Sequence, residues 1–386
     1  MFRIKTLNEI SPVINKVFAA DYAVGSEIDN EDAIIVRSAK MHDMPISDSL
    51  LAVARAGAGY NNIPVDKCSE RGIVVFNTPG ANANAVKELT IAGMLLAGRD
   101  IVGGIEWART LKGEGDKVAA LVEKGKNHFV GPELKGKKLA VIGLGAIGTM
   151  VANAGHALEM DVYGYDPFLS VEHALMLSRA VHKVGDLDKL LAEADFVSLH
   201  LPLTDKTRGM VDADMLSKFK PGAALLNFSR GELVDGAAVL GAVKAGRLRR
   251  YVTDFPSENM LGAGGVIALP HLGASTPESE DNCAEMAAQE LAGYLTRGAI
   301  INSVNYPACD PGYTDGARLC VLHANVPNMV GSVTALLAAQ GINIANMVNK
   351  SRGALAYTVI DADGEIGANV VKAVAAVENV YKVRLI

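Results

Sequence analysis

Cysteine is scarce in this 386-residue chain. Its four cysteines, Cys68, Cys283, Cys309 and Cys320, lie far apart, with no CxxC pair and no Cys/His cluster. That spacing argues against a disulfide framework and against a bound metal, and it points to reduced thiols in a soluble cytoplasmic protein. Basic tracts are missing too. Lys and Arg number 37 against 43 Asp and Glu, a net charge of −6, so no dense positive strip is available for a phosphate backbone and nucleic acid is not an expected partner. Long apolar runs are also absent. Mean hydropathy is +0.20, but the apolar residues fall in short runs broken by Gly, Pro and charges, none of them long enough for a bilayer span. The opening MFRIKTLNEISPV has no apolar segment of the secretory kind. What the chain does have is 49% hydrophobic residues, enough to bury the cores of two or three domains.

The stretch around which the rest is organised is Leu139 to Asp166, LAVIGLGAIGTMVANAGHALEMDVYGYD. An apolar run enters Gly143-Leu144-Gly145-Ala146-Ile147-Gly148, a segment with helical spacing follows, and a second apolar run, Met160 to Tyr165, ends in Asp166. Glycines alone mark ordinary turns. A strand, a GxGxxG turn, a helix, a second strand and a terminal acid together form a dinucleotide-site pattern. Gly143 permits the tight turn, Gly145 lets backbone approach a pyrophosphate, and Gly148 lets the helix pack close to the strand. The N–H groups of Ala146 and Ile147 then lie at the positive end of the helix, facing the phosphates. Asp166, 18 residues after Gly148, can accept hydrogen bonds from a ribose diol and would repel a ribose phosphate, which favours NAD over NADP.

Before this motif, Ala33–Val36, Leu51–Ala54 and Ile73–Phe76 are short apolar strands followed by Arg37-Ser38, by Arg55-Ala56-Gly57 and by Asn77-Thr78-Pro79-Gly80. Ligands of open α/β sheets bind at such carboxyl ends. Glu88 to Gly98 reads as a buried helix, and 112–117 as a loop. After the motif, strands at 196–202, 223–228, 250–255 and 266–269 alternate with helices at 187–194 and 235–245, giving a doubly wound parallel sheet. Pro277 to Arg297 is one long helix, with Thr276 as its N-cap. NYPACDPGYTDG, residues 305–316, reads as a linker. The remainder has the order βαββαβ, a ferredoxin-like unit.

Three polar residues follow the later strands: Arg230 in NFSRGELVD, Glu258 in TDFPSEN and His271 in LPHLGAST. Oxidising a 2-hydroxy acid needs a base for the hydroxyl proton, a cation for the carboxylate and a hydride acceptor facing C2. Histidine suits the base because its pKa lies near neutrality. A carboxylate on its other nitrogen fixes the tautomer, and arginine suits the clamp because its fork grips a carboxylate twice. Each has a plainer alternative: a structural histidine, an Arg230 paired with Glu232 or Asp235, and Glu258 or Asp254 as ordinary loop acids. His128 and His200 are taken as structural. Arg37 and Arg55 read either as surface ion pairs or as an anion pocket for a phosphate or a second acid group.

GLGAIG with Asp166, VSLHLPLTDKTRGMV, NFSRGELVD and PHLGAST resemble, in order and spacing, the D-isomer-specific 2-hydroxyacid dehydrogenases. AIIVRSAK, VARAGAGYNNI and GIVVFNTPGANANAVKEL are similar to the members that oxidise 3-phospho-D-glycerate to 3-phosphohydroxypyruvate, the first step of L-serine synthesis. The resemblance implies a flavodoxin-like substrate domain from residues 1–95 and 275–305, a Rossmann NAD domain at 96–274, a linker at 306–316 and an ACT regulatory domain at 317–386. It implies Arg230 as the substrate arginine, His271 as the acid/base and Glu258 as its carboxylate partner. Asp254 would bind the nicotinamide amide, and Arg37, Ser38, Arg55 and Asn82 the substrate's charged groups. It implies L-serine bound by His323, Asn325 and Asn343, in a homodimer or homotetramer. Two departures stand out: the acids of Thr253-Asp254-Phe255-Pro256-Ser257-Glu258-Asn259 are one residue closer than in the family pattern, with Asn in place of Pro, and Asn328-Met329 stands where glycine often follows the proline. Hydroxypyruvate and glyoxylate reductases, and an NAD-dependent corepressor-like binding module, are the competing readings.

Overall fold

The computed structural model describes residues 1–386, and the chain divides into two compact units, Met1–Asn82 with Pro277–Ile386, and Ala83–Thr276. The first unit opens with β1 (Phe2–Leu7), β2 (Tyr22–Gly25), β3 (Ala33–Val36), β4 (Ala52–Arg55), α1 (Val65–Glu70) and β5 (Val74–Asn77). These strands form a parallel sheet in the order β2-β1-β3-β4-β5, the flavodoxin-like order. Successive residues of β3 and β4 point to opposite faces and both faces are apolar. Ala33, Ile35, Ala52 and Ala54 join one core, and Ile34, Val36 and Val53 the other, as expected of strands covered on both sides. The order reverses between β1 and β3, where Asn8 accepts from the N–H groups of Ser38 (3.0 Å) and Ala39 (2.7 Å).

The second unit starts earlier than the sequence suggests. The helix expected from Glu88 begins at Ala83, as α2 (Ala83–Gly98), and belongs to this unit and not to the first. It continues through α3 (Ile101–Thr110) and α4 (Val118–Gly125), then β6 (Lys138–Ile142), α5 (Ala146–Ala157), β7 (Asp161–Tyr165), α6 (Val171–Met176), β8 (His182–Lys183), α7 (Leu187–Glu193), β9 (Phe196–Leu199), α8 (Ala213–Ser217), β10 (Ala223–Asn227), α9 (Gly236–Lys244), β11 (Leu248–Thr253) and β12 (Val266–Ala268). All seven strands are parallel, in the order β12-β11-β10-β9-β6-β7-β8. Counted from β6 this is the doubly wound order of a dinucleotide-binding sheet, whose switch point lies between β6 and β9. Adjacent residues again divide between two cores: Ala140, Val197 and Leu225 face one, and Leu139, Val141, Phe196 and Leu226 the other. Aspartates set several helix starts. Asp186 accepts from Lys189, Asp212 from Met215, and Asp235 from Ala237 and Ala238.

The chain returns to the first unit through α10 (Pro277–Arg297), whose bounds match those expected. The segment expected as a linker from residue 305 is partly core. Tyr306 is fully buried, Cys309 nearly so, and Ile300 and Cys309 form an antiparallel bridge. An aromatic ring and a thiol that find apolar neighbours outweigh the turn-forming composition around them, leaving residues 310–316 as the exposed connection. Then follow β13 (Ala317–Ala324), α11 (Met329–Ala339), β14 (Asn343–Arg352), β15 (Leu355–Asp363), α12 (Ala368–Ala375) and β16 (Val380–Leu385). The sheet is antiparallel in the order β14-β15-β13-β16, the ferredoxin-like arrangement. Leu319, Val321 and Ile360 face α11 and α12. Cys320, Leu322, Tyr357 and Val359 face the other way and join the core that holds Tyr294 and Leu295 of α10.

All four cysteines are free and buried. No helix is long and apolar enough to cross a membrane.

Candidate active site

The glycine turn lies at the switch point of the second sheet. Gly143 takes φ +92°, open to glycine at little cost, and its N–H donates to Tyr165 O at 2.9 Å. A Cβ on Gly148 would overlap the carbonyl oxygen of Gly143, whereas one on Gly145 would meet nothing within 4 Å. The turn is therefore tight on the strand side and open at Gly145, where α5 begins with Ala146 and Ile147. The Asp166 carboxylate closes the turn from the neighbouring strand, accepting from Leu144 N–H (2.8 Å) and Phe168 N–H (2.8 Å). Each oxygen keeps a lone pair for a ribose hydroxyl. An open glycine edge, a helix N-terminus and a fixed acid beside it fit a dinucleotide.

Across the same sheet, β10, β11 and β12 end side by side, with Leu269 N–H on Thr253 O at 2.9 Å. Neighbouring strands lie about 4.8 Å apart, so the residues that leave these three ends share one edge. Arg230 is one: its Nη1 donates to Ser229 O at 2.6 Å, and its own carbonyl accepts from Asn227 Nδ2 at 2.9 Å. It makes no ion pair, and Asp235 is occupied in capping α9, so the plain reading of Arg230 as a turn salt bridge does not hold. His271 is exposed, with its ring 4.5 Å from that of Phe255. A Cβ on Gly231, next to Arg230, would touch Phe255 Cβ at 3.1 Å. Phe255 thus lies against both the arginine loop and the imidazole.

The expected pairing of Glu258 with His271 is not made. Glu258 is exposed at the start of a short 3-10 helix; its carbonyl accepts from Leu261 N–H at 3.2 Å, and its carboxylate makes no ion pair. The acid facing the histidine loop is Asp254, 1% exposed, which accepts from Gly273 N–H at 3.2 Å. The reason is local. β11 ends at Thr253, so Asp254 still points inward, and Phe255-Pro256 then carries the chain out to solvent before Glu258. Burial raises the Asp254 carboxyl above the ordinary value, while His271 and the Gly273 N–H pull it back. His200 behaves as expected of a structural histidine: it bonds Ser198 Oγ at 2.8 Å, and enclosure pushes its pKa down to about 3.

At the edge of the first sheet, Arg37 is ion-paired with Glu280 on α10. Arg55 Nε donates to Arg37 O at 3.1 Å. Ser38 is exposed, and Asn82 Oδ1 is enclosed without a protein partner. Ser38 and Arg55 line an open cavity of about 540 Å³ together with Lys40, His42, Asp43, Asn61 and Asn62. The sequence reading missed Lys40, His42, Asn61 and Asn62. The signal was present, since both polar clusters directly follow apolar strands.

The three residues expected to hold an amino acid do not converge within one chain. His323 is 2% exposed, and its ring is spent on Ala324 O (2.7 Å) and Thr358 Oγ1 (2.8 Å). Asn325, exposed, donates to Gly353 O at 3.0 Å. Asn343 pairs in register with Asp363 and donates to its carboxylate at 2.6 Å. Asn325 lies at the Ala354 end of β15 and Asn343 at the Asp363 end, about 30 Å apart at strand spacing. Alternation turns His323 into the core, whereas Asn325, one residue past the end of β13, is exposed.

Comparison with known proteins agrees with this geometry. Residues 92–273 match the D-isomer specific 2-hydroxyacid dehydrogenase, NAD binding domain. D-3-phosphoglycerate dehydrogenase of Escherichia coli K12 is 33% identical over 353 residues, covering 88% of this chain and 82% of that protein. The enzyme of the same name from Archaeoglobus fulgidus is 35% identical over 295 residues, 74% of this chain and 53% of that one. Among solved structures, NAD⁺-bound 3-phosphoglycerate dehydrogenase of Entamoeba histolytica superposes with a TM-score of 0.61 at 26% identity, over 79% of this chain and 98% of that one. Rhodotorula graminis D-mandelate dehydrogenase shares the fold, with a TM-score of 0.69 at 21% identity over 81% and 99%. A dinucleotide turn on a doubly wound sheet, with an arginine and a histidine on the same edge, defines a nicotinamide-dependent hydroxy-acid dehydrogenase. The chain belongs to the D-isomer specific 2-hydroxyacid dehydrogenases, with NAD as its cofactor.

Proposed function

We propose that the chain carries out the D-3-phosphoglycerate dehydrogenase reaction: NAD-dependent oxidation of 3-phospho-D-glycerate to 3-phosphohydroxypyruvate, the step that commits carbon to L-serine. The relatives' names support it. The observation that carries it is the cationic cavity at the first sheet's edge, where Arg55 and Lys40 outnumber Asp43. An unphosphorylated hydroxy acid has no use for that excess of positive charge, whereas a phosphate does. The first unit's parallel sheet is then the substrate-binding part, with Ser38 and Asn82 as neutral donors around the arginine.

Bound NAD supplies the hydride acceptor, held by Gly143, Gly145, the N–H groups of Ala146 and Ile147, Gly148 and Asp166. Arg230, with no acid to neutralise it, binds the substrate carboxylate and fixes C2. His271 takes the C2 hydroxyl proton as the hydride leaves, and returns it in the reverse direction. Lys40 and Arg55 offer a phosphate two cationic partners at the edge of the first unit's sheet.

The C-terminal unit has the strand order of an ACT module, which supports a regulatory reading. Because Asn325 and Asn343 stand at opposite ends of the sheet, an L-serine site built on both needs Asn343 from a second copy, so effector binding and assembly into a dimer or tetramer are proposed together. His323 is not part of that site, since both ring nitrogens are taken. Cytoplasmic placement rests on the four free thiols.

The test is NADH formation from NAD and 3-phospho-D-glycerate at alkaline pH. Turnover of glycerate or glyoxylate with none of the phosphorylated substrate would return the chain to the reductases, and no turnover of any of them to the binding-module reading.

A further inference from the structure

We propose that Glu280 is an internal competitor for the substrate's phosphate: its carboxylate occupies Arg37 while the pocket on the first sheet is empty, and the phosphate displaces it. The proposal rests on the reading of Arg37 and Arg55 as holders of the substrate's charged groups. β3 and β4 are paired in register, with Val36 opposite Arg55, so Arg37, Ser38 and Arg55 leave the same sheet edge. Arg55 Nε donates to Arg37 O at 3.1 Å, and Ser38 and Arg55 line the cavity. Glu280 reaches this edge from the first turn of α10 and makes an ion pair with Arg37. Cys283, buried and one turn further along the helix, interacts electrostatically with both arginines. Ala284 and Ala287 of α10 pack in one core with Ala33 and Ile35 of β3 and Ala52 and Ala54 of β4. The carboxylate is therefore delivered to Arg37 by a helix whose seat on the sheet is fixed.

The pair is poorly suited to holding the fold together. Its side chains are 43% and 40% exposed, and exposed pairs of this kind add little to stability. Its chemistry suits exchange. A guanidinium grips a carboxylate and a phosphate through the same fork of N–H donors, so one anion excludes the other. A phosphate monoester near neutral pH carries close to two charges against one on a carboxylate, which lets it take Arg37 from Glu280. The released carboxylate remains in the first turn of α10, where the positive end of the helix stabilises it. From there it repels whatever anion has entered. A free anion at ambient concentration must overcome both the exchange and the repulsion. A substrate already anchored through its carboxylate presents its phosphate to Arg37 at a high effective concentration and overcomes them more readily. Glu280 thus keeps Arg37 neutralised between turnovers without closing the pocket to the substrate.

Glu280→Gln, Arg37→Ala and the double substitution, each in the full chain, decide it. The readouts are KM for 3-phospho-D-glycerate and for glycerate, and the Kd of inorganic phosphate by calorimetry. Glu280→Gln should lower KM for the phosphorylated substrate and the phosphate Kd roughly 3- to 10-fold, the change expected when a unit charge beside a dianion is removed at a half-exposed site. KM for glycerate, which has no phosphate to place on Arg37, should stay within about twofold. Arg37→Ala should raise KM for the phosphorylated substrate, and adding Glu280→Gln to it should change little, because the two residues act through one contact. A KM or phosphate Kd that rises in Glu280→Gln overturns the proposal, since it makes the glutamate a support that orients Arg37. Unchanged values overturn it as well, since they make the pair a surface contact. So does a full-sized gain that persists in the Arg37→Ala background, because the carboxylate would then act on the pocket from a distance. A wild type that does not turn over 3-phospho-D-glycerate defeats the wider functional reading instead, and the phosphate Kd alone then decides the role of Glu280. If Glu280→Gln does not fold, Glu280→Ala removes the same charge and is read in the same way.

Discussion

Glu290 offers the sharpest test of how this fold spends its buried charge. It lies on α10 at 7% exposure. Oε1 accepts from Asn302 Nδ2 at 2.8 Å, and Oε2 is enclosed without a partner. No cation stands beside it to offset burial, which pushes its pKa up to about 8. From the unfolded value up to about 8, the native chain keeps this proton while the unfolded chain has lost it. Unfolding then releases a proton and is favoured as pH rises, at about 1.4 kcal/mol per pH unit. The stabilising condition is therefore acidic, fully present below the unfolded pKa and gone above about 8. Lys382 has the opposite sign. Burial lowers its pKa to about 8, so unfolding takes up a proton above that pH and stability gains as pH rises. The wild-type pH profile alone mixes the two, and the difference between Glu290→Gln and wild type isolates the glutamate. Glutamine keeps the acceptor for Asn302 and cannot ionise. From pH 5 to 7 the difference should widen in the variant's favour by roughly 2 to 3 kcal/mol, read as urea midpoints at each pH. Parallel midpoint curves would refute the argument, because they would mean that Glu290 titrates alike in the folded and unfolded chain.

Asp166→Ala should raise the NAD Kd about tenfold or more, since it removes the ribose acceptor and also releases the N–H groups of Leu144 and Phe168 that hold the glycine turn. It should also narrow the preference over NADP in a fluorescence titration, and a wild type that already prefers NADP contradicts the reading of this acid. Arg55→Ala should raise KM for 3-phospho-D-glycerate about tenfold or more with kcat nearly unchanged. It should shrink the preference for the phosphorylated substrate, and steady-state kinetics with glycerate as the comparison would show that preference unchanged if Arg55 is only a surface cation.

The dinucleotide half of the chain was legible because its signals are local. A glycine turn, two apolar strands and an acid at a fixed distance leave one arrangement open; the strand expected at 139–142 runs 138–142, and the one expected at 196–202 starts in place but stops at 199. Less legible was whatever depends on which side of a backbone a residue leaves. Sequence spacing could not show that β11 stops at Thr253, so that Asp254 is swallowed and Glu258 expelled. It could not show that His323, on the face of β13 shared with Leu319 and Val321, is buried with its ring held by Ala324 O and Thr358 Oγ1. For Arg37 the sequence left ion pair and anion pocket both open, because its partner, Glu280, lies 243 positions away. The Tyr306 segment looked like a linker because proline and glycine speak of turns, while tertiary burial of one ring decided otherwise.

α10 joins these observations within the first unit. Its 21 residues span about 32 Å. At its C-terminal end, side chains of the C-terminal sheet reach the carbonyls of the last turn and of Gly298, of which Tyr294 O also accepts from Gly298 N–H. Arg384 donates to Tyr294 O (3.1 Å) and Leu295 O (2.8 Å), Arg318 to Arg297 O (2.8 Å), and the Tyr357 hydroxyl to Gly298 O (2.8 Å). Cations at this end also meet the negative end of the helix dipole. Arg318 cannot drift, because Asp361 holds it through Nε (2.6 Å) and Nη2 (2.9 Å) in a buried pair. In its first turn the same helix carries Glu280, the partner of Arg37. A ligand that displaces the C-terminal sheet has two courses. It can strip these carbonyls of their donors, at about 1–3 kcal/mol for each one left buried and unpaired. Otherwise it carries the helix along and moves Glu280 relative to Arg37. Three of those carbonyls, on Leu295, Arg297 and Gly298, have no other donor, which makes the first course the costlier one.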